Sequence, residues 1–506
     1  MKVFDVAIIG AGVIGASIAR ELSKYQLSTI LIEAENDVSM GSSKANSAII
    51  HGGYAESHSK VKGRFCYKGR VQFSKLDKEL NFGYKENGSF VIAFEEENLP
   101  KLEELKANGE LNGLTDLSIL TKDEIIKLEP NINPEVKYAL YCKGAGICSP
   151  YEFVIALTEN AIHNGVELKL NTEVTSIKEI DSKYFEITSK HENKIYARYI
   201  VNAAGLHGAK VANMLGDKSF EIYPRSGEYM VFKRGYGELV KQVIFQMPSK
   251  LGKGILVTPT YHNNLLIGPD ALNEPVVDLN THVERLAKIF KLALNSIPSL
   301  DVNNFIRSFS GVRAVSSTDD FIIRASEVNP RFIFATGIQS PGLTSSPAIA
   351  QEVVCLLKEN GLELKENKNF DPYRKPIIPD PSKKVWAEGI EIKKHVDLPK
   401  GDPDRFVCRC EQVSESTINE ALNRNIPITS VDAIKRRTRA GMGLCQGTFC
   451  RSRVFEYLKD KVQDRADINT DIQDKHLSRV SKSELLNYMK NNYCLLYTSD
   501  AADDGE

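Results

Sequence analysis

Four cysteines near the end of the chain are spaced to hold a metal centre: Cys408-x-Cys410, then thirty-four residues, then Cys445-x4-Cys450. Four thiolates gathered by a small module bind either a structural zinc ion or a 2Fe–2S cluster. At the other end, "VAIIGAGVIGASIA" carries Gly10-x-Gly12-x-x-Gly15. In such a motif Gly10 makes the tight turn, Gly12 lets the backbone approach a pyrophosphate, and Gly15 lets the helix pack on its strand. The free N–H groups at the helix start hold phosphates. Glu33, eighteen residues past Gly15, is placed to accept from a ribose hydroxyl. The chemistry on offer is dinucleotide binding at the front and metal ligation at the back.

The elements that must position these groups can be read from periodicity. Val6 to Ile9 is a strand, a helix-period pattern runs through Leu22, and "STILIE" is a second strand ending on Glu33. Two distant segments return to the same kind of unit. "ARYIVNAAGLHG" is an apolar strand ending in Asn202-Ala203-Ala204-Gly205, and "RFIFATGIQSPGLTSSPAIAQEVV" is a strand, a Gly-rich turn and a helix start. After Asn369 the composition turns to prolines and charges with little period, which marks a linking or wrapping segment. Between the cysteine pairs, "SESTINEALNRNI" and "TSVDAIKRRTRAG" read as two short helices, each opening on Ser or Thr. The basic run Arg436, Arg437 and Arg439 reads as a docking patch for an acidic partner, as a charge that tunes the metal centre, or as a solvated helix face.

The chain has 506 residues and a formal net charge of −1, so no global field draws it to nucleic acid or to an acidic membrane surface. Its length suits two or three domains. The longest apolar run is too short and too Gly-rich to span a bilayer, and it lacks the basic segment and cleavage site of a signal peptide. Nine cysteines without regular spacing do not form a disulfide framework. Cys66, Cys142, Cys148 and Cys355 read as buried structural residues. The expected location is cytoplasmic, with membrane association only through a partner. The end of the chain, "CLLYTSDAADDGE", departs from the Lys- and Asn-rich composition before it and resembles a translated sequencing adapter. Residues 494–506 are therefore set apart, and Cys494 is not expected to be a biological thiol.

The scattered segments of one sheet resemble the D-amino-acid-oxidase-type flavoprotein superfamily, which implies FAD. "GSSKANSAIIHGGYAESHSKVKGRFCYKG", Gly41 to Gly69, narrows the resemblance to the glycerol-3-phosphate oxidase and dehydrogenase group, close to the large subunit of the anaerobic dehydrogenases. L-2-hydroxyglutarate dehydrogenases share its "NS-x-x-IH" pattern. The resemblance implies that Ser42, Ser43 and Ser47 wrap the ribityl and pyrophosphate, with Val174, Ala204 and Gly205 also at the cofactor. Gly337, Gly342, Leu343 and Thr344 would bring helix N–H groups to the flavin, where negative charge develops on reduction. It carries the active-site histidine onto His51 and a substrate-side lysine onto Lys253 in "LGKGILVTPT". Arg313 in "FSGVRAVSS" becomes the clamp for the substrate's anionic end, and Ser340 in "GIQSPGL" a fourth flavin-facing position. "YPRSGEYMVF", with Arg225, Gly227 and Tyr229, resembles the strand that crosses into the substrate domain. These types suit the chemistry: a neutral His removes a hydroxyl proton, and Arg with Lys holds an anion. Arg313 would serve a carboxylate as readily as a phosphate, and its alternative is an ion pair with Asp319 or Asp320.

"CRC…IKRRTRAGMGLCQGTFC" resembles the bacterioferritin-associated-ferredoxin-like domain, which implies a 2Fe–2S cluster on the four cysteines. Such a cluster takes one electron at a time and so implies electron-transfer partner subunits instead of dioxygen. The expected fold class is α/β: a Rossmann-type FAD-binding domain (about 1–88, 145–224 and 316–370), an inserted antiparallel-sheet substrate domain (about 89–144 and 225–315), and a small helical iron–sulfur domain (405–458). Residues 371–404 would be a Pro-rich linker and 459–493 a tail. The implied activity is oxidation of sn-glycerol 3-phosphate. The alternatives are a 2-hydroxy-acid, amino-acid or opine dehydrogenase, or a non-catalytic electron-transfer subunit.

Overall fold

The continuous apolar run at the front predicts a strand buried on both faces. In the computed structural model, which describes residues 2–247, 254–461 and 477–493, Val3–Ile9 lies inside an eight-stranded sheet. It runs parallel to Thr29–Ile32 on one side and to Lys194–Asn202 on the other. Glu167–Lys169 and Phe332–Thr336 extend the parallel core, and Ile322–Ala325 closes one edge antiparallel. Alternate side chains serve two cores. Val6, Ile8 and Leu31 pack beneath the helices Val13–Leu22, Pro150–His163 and Gly342–Glu359. Phe4, Ala7, Ile9 and Ile30 pack with the hairpin residues Ile177, Phe185 and Ile187 and with Val211 of the helix Gly208–Met214.

The second sheet has nine strands and is built from two separate stretches of chain. Ile222–Phe232 pairs antiparallel with Phe305–Ser316 over nearly its whole length. Beyond it follow Leu265–Gly268, Leu256–Pro259, Val243–Gln246, Ser89–Ala93, Tyr138–Cys142 and Leu117–Thr121. The expected antiparallel order breaks once, where Val243–Gln246 runs parallel to Ser89–Ala93. That pair is the seam between the two stretches, and no hairpin constrains its direction. One face packs on the helix Val283–Ala293 through Leu286, Ile289 and Phe290.

The C-terminal module pairs Phe406–Cys408 with Val413–Ser414 and stacks the helices Glu415–Leu422, Val431–Thr438 and Arg451–Lys461. Ser414 and Ser430 cap the first two, each accepting from the N–H three residues on. Ile418, Ile434, Val454 and Leu458 form its core with Cys408 and Cys450.

Two expectations need revision. The stretch read as a linker holds a helix, Gly389–Asp397, and is tied down by Arg374, which pairs with Glu159 at 2.5 Å. The stretch read as a tail contributes Val480, Leu485 and Met489 to the core beneath the second sheet, because its helix Lys482–Tyr493 presents an apolar face there. Residues 494–506, including Cys494, lie outside the described residues.

Candidate functional site

A cavity of about 1490 Å³ runs from the glycine fingerprint to the inner face of the second sheet. Gly10, Gly12, Glu33, Ser42, Ser43, Ser47, Val174, Ala204, Gly205, Gly342 and Leu343 line it, as do His51, Arg313 and Ser340. Gly15, Gly337 and Thr344 are not on the wall and act from behind it. A Cβ on Gly15 would lie 1.9 Å from the Gly10 carbonyl oxygen, so only glycine lets the helix sit this close to the turn. Gly10 itself has φ +104°, and a Cβ there would come 2.5 Å from the Ala203 oxygen. Lys253 lies outside the described residues.

The fingerprint end fits a dinucleotide. The helix Val13–Leu22 starts at Gly12 with no side-chain cap of its own, and its Val13 N–H donates to Ser43 Oγ at 2.9 Å. Glu33 Oε2 accepts from the Ala11 N–H at 2.7 Å and Oε1 from Glu35 N–H at 3.0 Å. Burial raises the Glu33 carboxyl above its ordinary range, and those N–H bonds oppose the rise. Ser42 Oγ donates to the Val312 carbonyl, which ties the wrapping loop to the strand that carries Arg313.

At the inner end, His51 is fixed from several sides. Its N–H donates to Thr344 Oγ1 at 2.9 Å, and Thr344 Oγ1 reaches the Ile49 carbonyl at 3.3 Å. His51 Nε2 is 3.3 Å from Ser340 Oγ, and the imidazole stacks on Phe245 with centroids 5.9 Å apart. The helix Gly342–Glu359 begins just past Ser340 without a side-chain cap. Arg313 does not make the structural ion pair weighed above. Asp319 pairs with Lys60 at 2.6 Å, and Asp320 accepts from the N–H groups of Val61 and Lys62. Arg313 lies against the buried hydroxyl of Tyr229, whose titration burial raises and the guanidinium partly lowers. Tyr229 stacks on Phe309 at 4.6 Å. Sequence reasoning missed Phe245, which reaches His51 through the parallel seam and leaves no local signal. Tyr229 was legible, with Arg225 and Gly227, through the resemblance of "YPRSGEYMVF" to the strand that crosses into the substrate domain.

The four cysteines of the module converge as two couples, Cys408 with Cys450 and Cys410 with Cys445. Among the described residues no three Cys, His, Asp or Glu are gathered as a single metal ion requires. Cys450 also feels Cys410 and Cys445, so the four thiols stand within reach of one another and would supply the thiolate set of a 2Fe–2S cluster. A hydrogen bond from Cys450, helped by the N–H groups of Gly441 and Glu411, brings the Cys408 thiol down to about 6. Of the other cysteines, Cys66, Cys142 and Cys148 are buried as expected, whereas Cys355 is exposed on the outer side of its helix. Arg70 donates to Cys142 Sγ at 3.0 Å.

The basic run is neither a surface patch nor a solvated face. Arg436 and Arg437 are buried and grip Asp37, with Nη–Oδ distances of 2.6, 2.8 and 2.7 Å. Burial alone would raise the Asp37 carboxyl, but Arg437 and Arg436 outweigh it and hold the group far below the usual carboxylate range. Arg439, also buried, donates to Glu411 at 3.0 Å, to the Tyr151 hydroxyl at 3.1 Å and to Asn264 at 3.2 Å. From the other side, Arg234 donates to the Cys410 carbonyl at 2.9 Å and lies 3.4 Å over the ring of Trp386. The module is thus bolted to both sheets of its own chain.

A glycine-fingerprint sheet, a cavity reaching His51 and a four-thiol module together define a flavin oxidoreductase with an attached iron–sulfur unit. Residues 5–356 match the FAD-dependent oxidoreductase family and residues 406–460 the BFD-like [2Fe-2S] binding domain. The chain belongs to the FAD-dependent oxidoreductase family, with FAD and a 2Fe–2S cluster as its cofactors. It is 47% identical over 460 residues to the glycerol 3-phosphate dehydrogenase of Caloramator mitchellensis, covering 90% of this chain and 94% of that protein. It is 34% identical to the glycerol 3-phosphate oxidase of Mycoplasma pneumoniae, covering 71% of this chain and 95% of that one. The structure of the dithionite-reduced L-alpha-glycerophosphate oxidase from Mycoplasma pneumoniae, with FAD bound, superposes with a TM-score of 0.70 at 32% identity, over 74% of this chain and 99% of that one.

Proposed function

We propose that this protein oxidises sn-glycerol 3-phosphate to dihydroxyacetone phosphate and passes the electrons through its 2Fe–2S centre to a one-electron acceptor. One observation carries the reading: a single cavity joins the dinucleotide fingerprint to His51, Ser340 and Arg313, in a chain 47% identical to a glycerol 3-phosphate dehydrogenase over nearly its full length.

Bound FAD supplies the acceptor for the hydride leaving the secondary alcohol carbon. His51 Nε2 takes the hydroxyl proton, and Ser340 with Phe245 keeps the ring in the orientation that presents it. Arg313 holds the anionic end, with Lys253 as a second charge. Gly10, Gly12 and the N-terminus of the helix Val13–Leu22 hold the pyrophosphate, and Glu33 the ribose. Cys408, Cys410, Cys445 and Cys450 ligate the cluster.

The oxidase relative spans only 71% of this chain while covering 95% of itself, so it has no counterpart of the cysteine module. That difference supports dehydrogenase chemistry and an electron-accepting partner for this protein. No helix among the described residues is long and apolar enough to cross a membrane. The free cysteines fit a reducing, cytoplasmic setting. The test is product analysis under argon with an artificial one-electron acceptor. Dihydroxyacetone phosphate from sn-glycerol 3-phosphate is the expected result, and turnover of L-2-hydroxyglutarate alone would refute the substrate.

A further inference from the structure

On the paired strands Ile222–Phe232 and Phe305–Ser316, Arg225 stands directly opposite Arg313. Directly opposed residues project from one face with Cβ atoms about 4.5–5.5 Å apart, and like charges placed so repel each other. Both side chains are partly buried and both line the cavity. Two other cations on this wall are neutralised: Arg285 pairs with Asp270 at 2.6 Å and Glu228 at 3.2 Å, and Lys210 with Glu173 at 3.1 Å. Among the described residues neither Arg225 nor Arg313 has a carboxylate within 4.0 Å. Their contacts are with neutral groups, Arg225 Nε with Asn273 Oδ1 at 2.6 Å and Arg313 with the Tyr229 hydroxyl. Such contacts fix the guanidiniums without cancelling their charge, and Asp319, which feels the charge of Arg225, is itself paired with Lys60 at 2.6 Å. The same face presses on the cofactor loop, since a Cβ on Gly311 would lie 2.0 Å from the Ala45 oxygen.

We propose that Arg225 joins Arg313 in a two-guanidinium clamp for the substrate's phosphate, and that Arg225 is the residue that makes the site prefer a compact tetrahedral dianion to a lone carboxylate. A phosphate monoester carries about −1.5 to −2 charge at neutral pH and three acceptor oxygens. It therefore offers both forks a partner, and binding relieves the repulsion that the empty pair suffers. The proposal rests on the functional reading above.

The experiment is calorimetric titration of FAD-loaded wild type, R225Q and R225K with inorganic phosphate, together with anaerobic stopped-flow reduction by sn-glycerol 3-phosphate. In R225Q the dissociation constants for phosphate and substrate rise about 10- to 100-fold, the scale of a lost hydrogen bond between charged groups. The limiting rate of flavin reduction falls far less. R225K recovers part of the affinity, because lysine restores the charge but not the fork. Unchanged dissociation constants in R225Q, or no phosphate binding by wild type, would overturn the clamp. Failure of sn-glycerol 3-phosphate to reduce wild type would instead overturn the functional reading, and the phosphate titrations would still decide the clamp.

Discussion

His51 is held by four groups from three separate regions of the chain: Thr344 on its backbone and Ser340 at Nε2, Phe245 on its ring, and the Cys66 thiol reaching its carbonyl. A side chain oriented so closely suits a base that must meet one proton. We expect His51→Ala to retain FAD while substrate-driven flavin reduction slows by ~100- to 10,000-fold, the usual worth of general-base catalysis. Rapid-mixing absorbance checks this, and an unchanged rate would remove His51 from the mechanism. Gly10→Ala should lose FAD outright, because its Cβ meets the Ala203 oxygen and its φ suits glycine; the flavin content of the purified variant reports this. At this scale the sequence was informative where a motif names the atom's job, as at Gly10, Gly12 and Glu33. It was silent on Phe245, which is brought to His51 by pairing between strands some 150 residues apart.

Elements rather than single residues decide how the iron–sulfur module sits. The helix Val431–Thr438 reads as amphipathic and basic, and a charge run of that kind most often faces water. Its arginines are instead buried, because Asp37, next to the cofactor-lining residues Glu35 and Met40, supplies a fully buried carboxylate for both of them. No sequence pattern links positions about 400 residues apart, so this joint was not legible. Removing one partner from a buried charge group costs about 3–5 kcal/mol, so Asp37→Asn should loosen the module and speed proteolysis in the segment 371–404, as seen by gel. The pH dependence follows from the sign of the shift. Asp37 has a folded pKa below its unfolded one, so its stabilisation is fully present above the ordinary carboxylate pKa near ~4 and fades as pH falls further. The difference in melting temperature between wild type and D37N should therefore be flat from neutral pH down to about 5 and narrow below about 4. A gap that stays constant into strong acid would contradict the clamp.

At the scale of the molecule, the order of segments was readable because each carries its own signal: period and glycines at the front, cysteine spacing at the back. The second sheet was less so. Its parallel seam and the helix Lys482–Tyr493 that covers its underside depend on contacts between distant stretches. The whole arrangement implies a route for electrons, from substrate through flavin to a module fixed against both sheets by Asp37, Asn264 and Arg234. Replacing Cys408 and Cys410 by serine should leave flavin reduction intact and remove the substrate-induced paramagnetic signal of a reduced cluster. The most direct test of the central claim is an anaerobic absorbance and electron-paramagnetic-resonance titration of the native protein with sn-glycerol 3-phosphate. The account predicts that the flavin bands bleach and a reduced 2Fe–2S signal appears in the same titration. A flavin that stays oxidised, or one that bleaches while the cluster never accepts an electron, would contradict it.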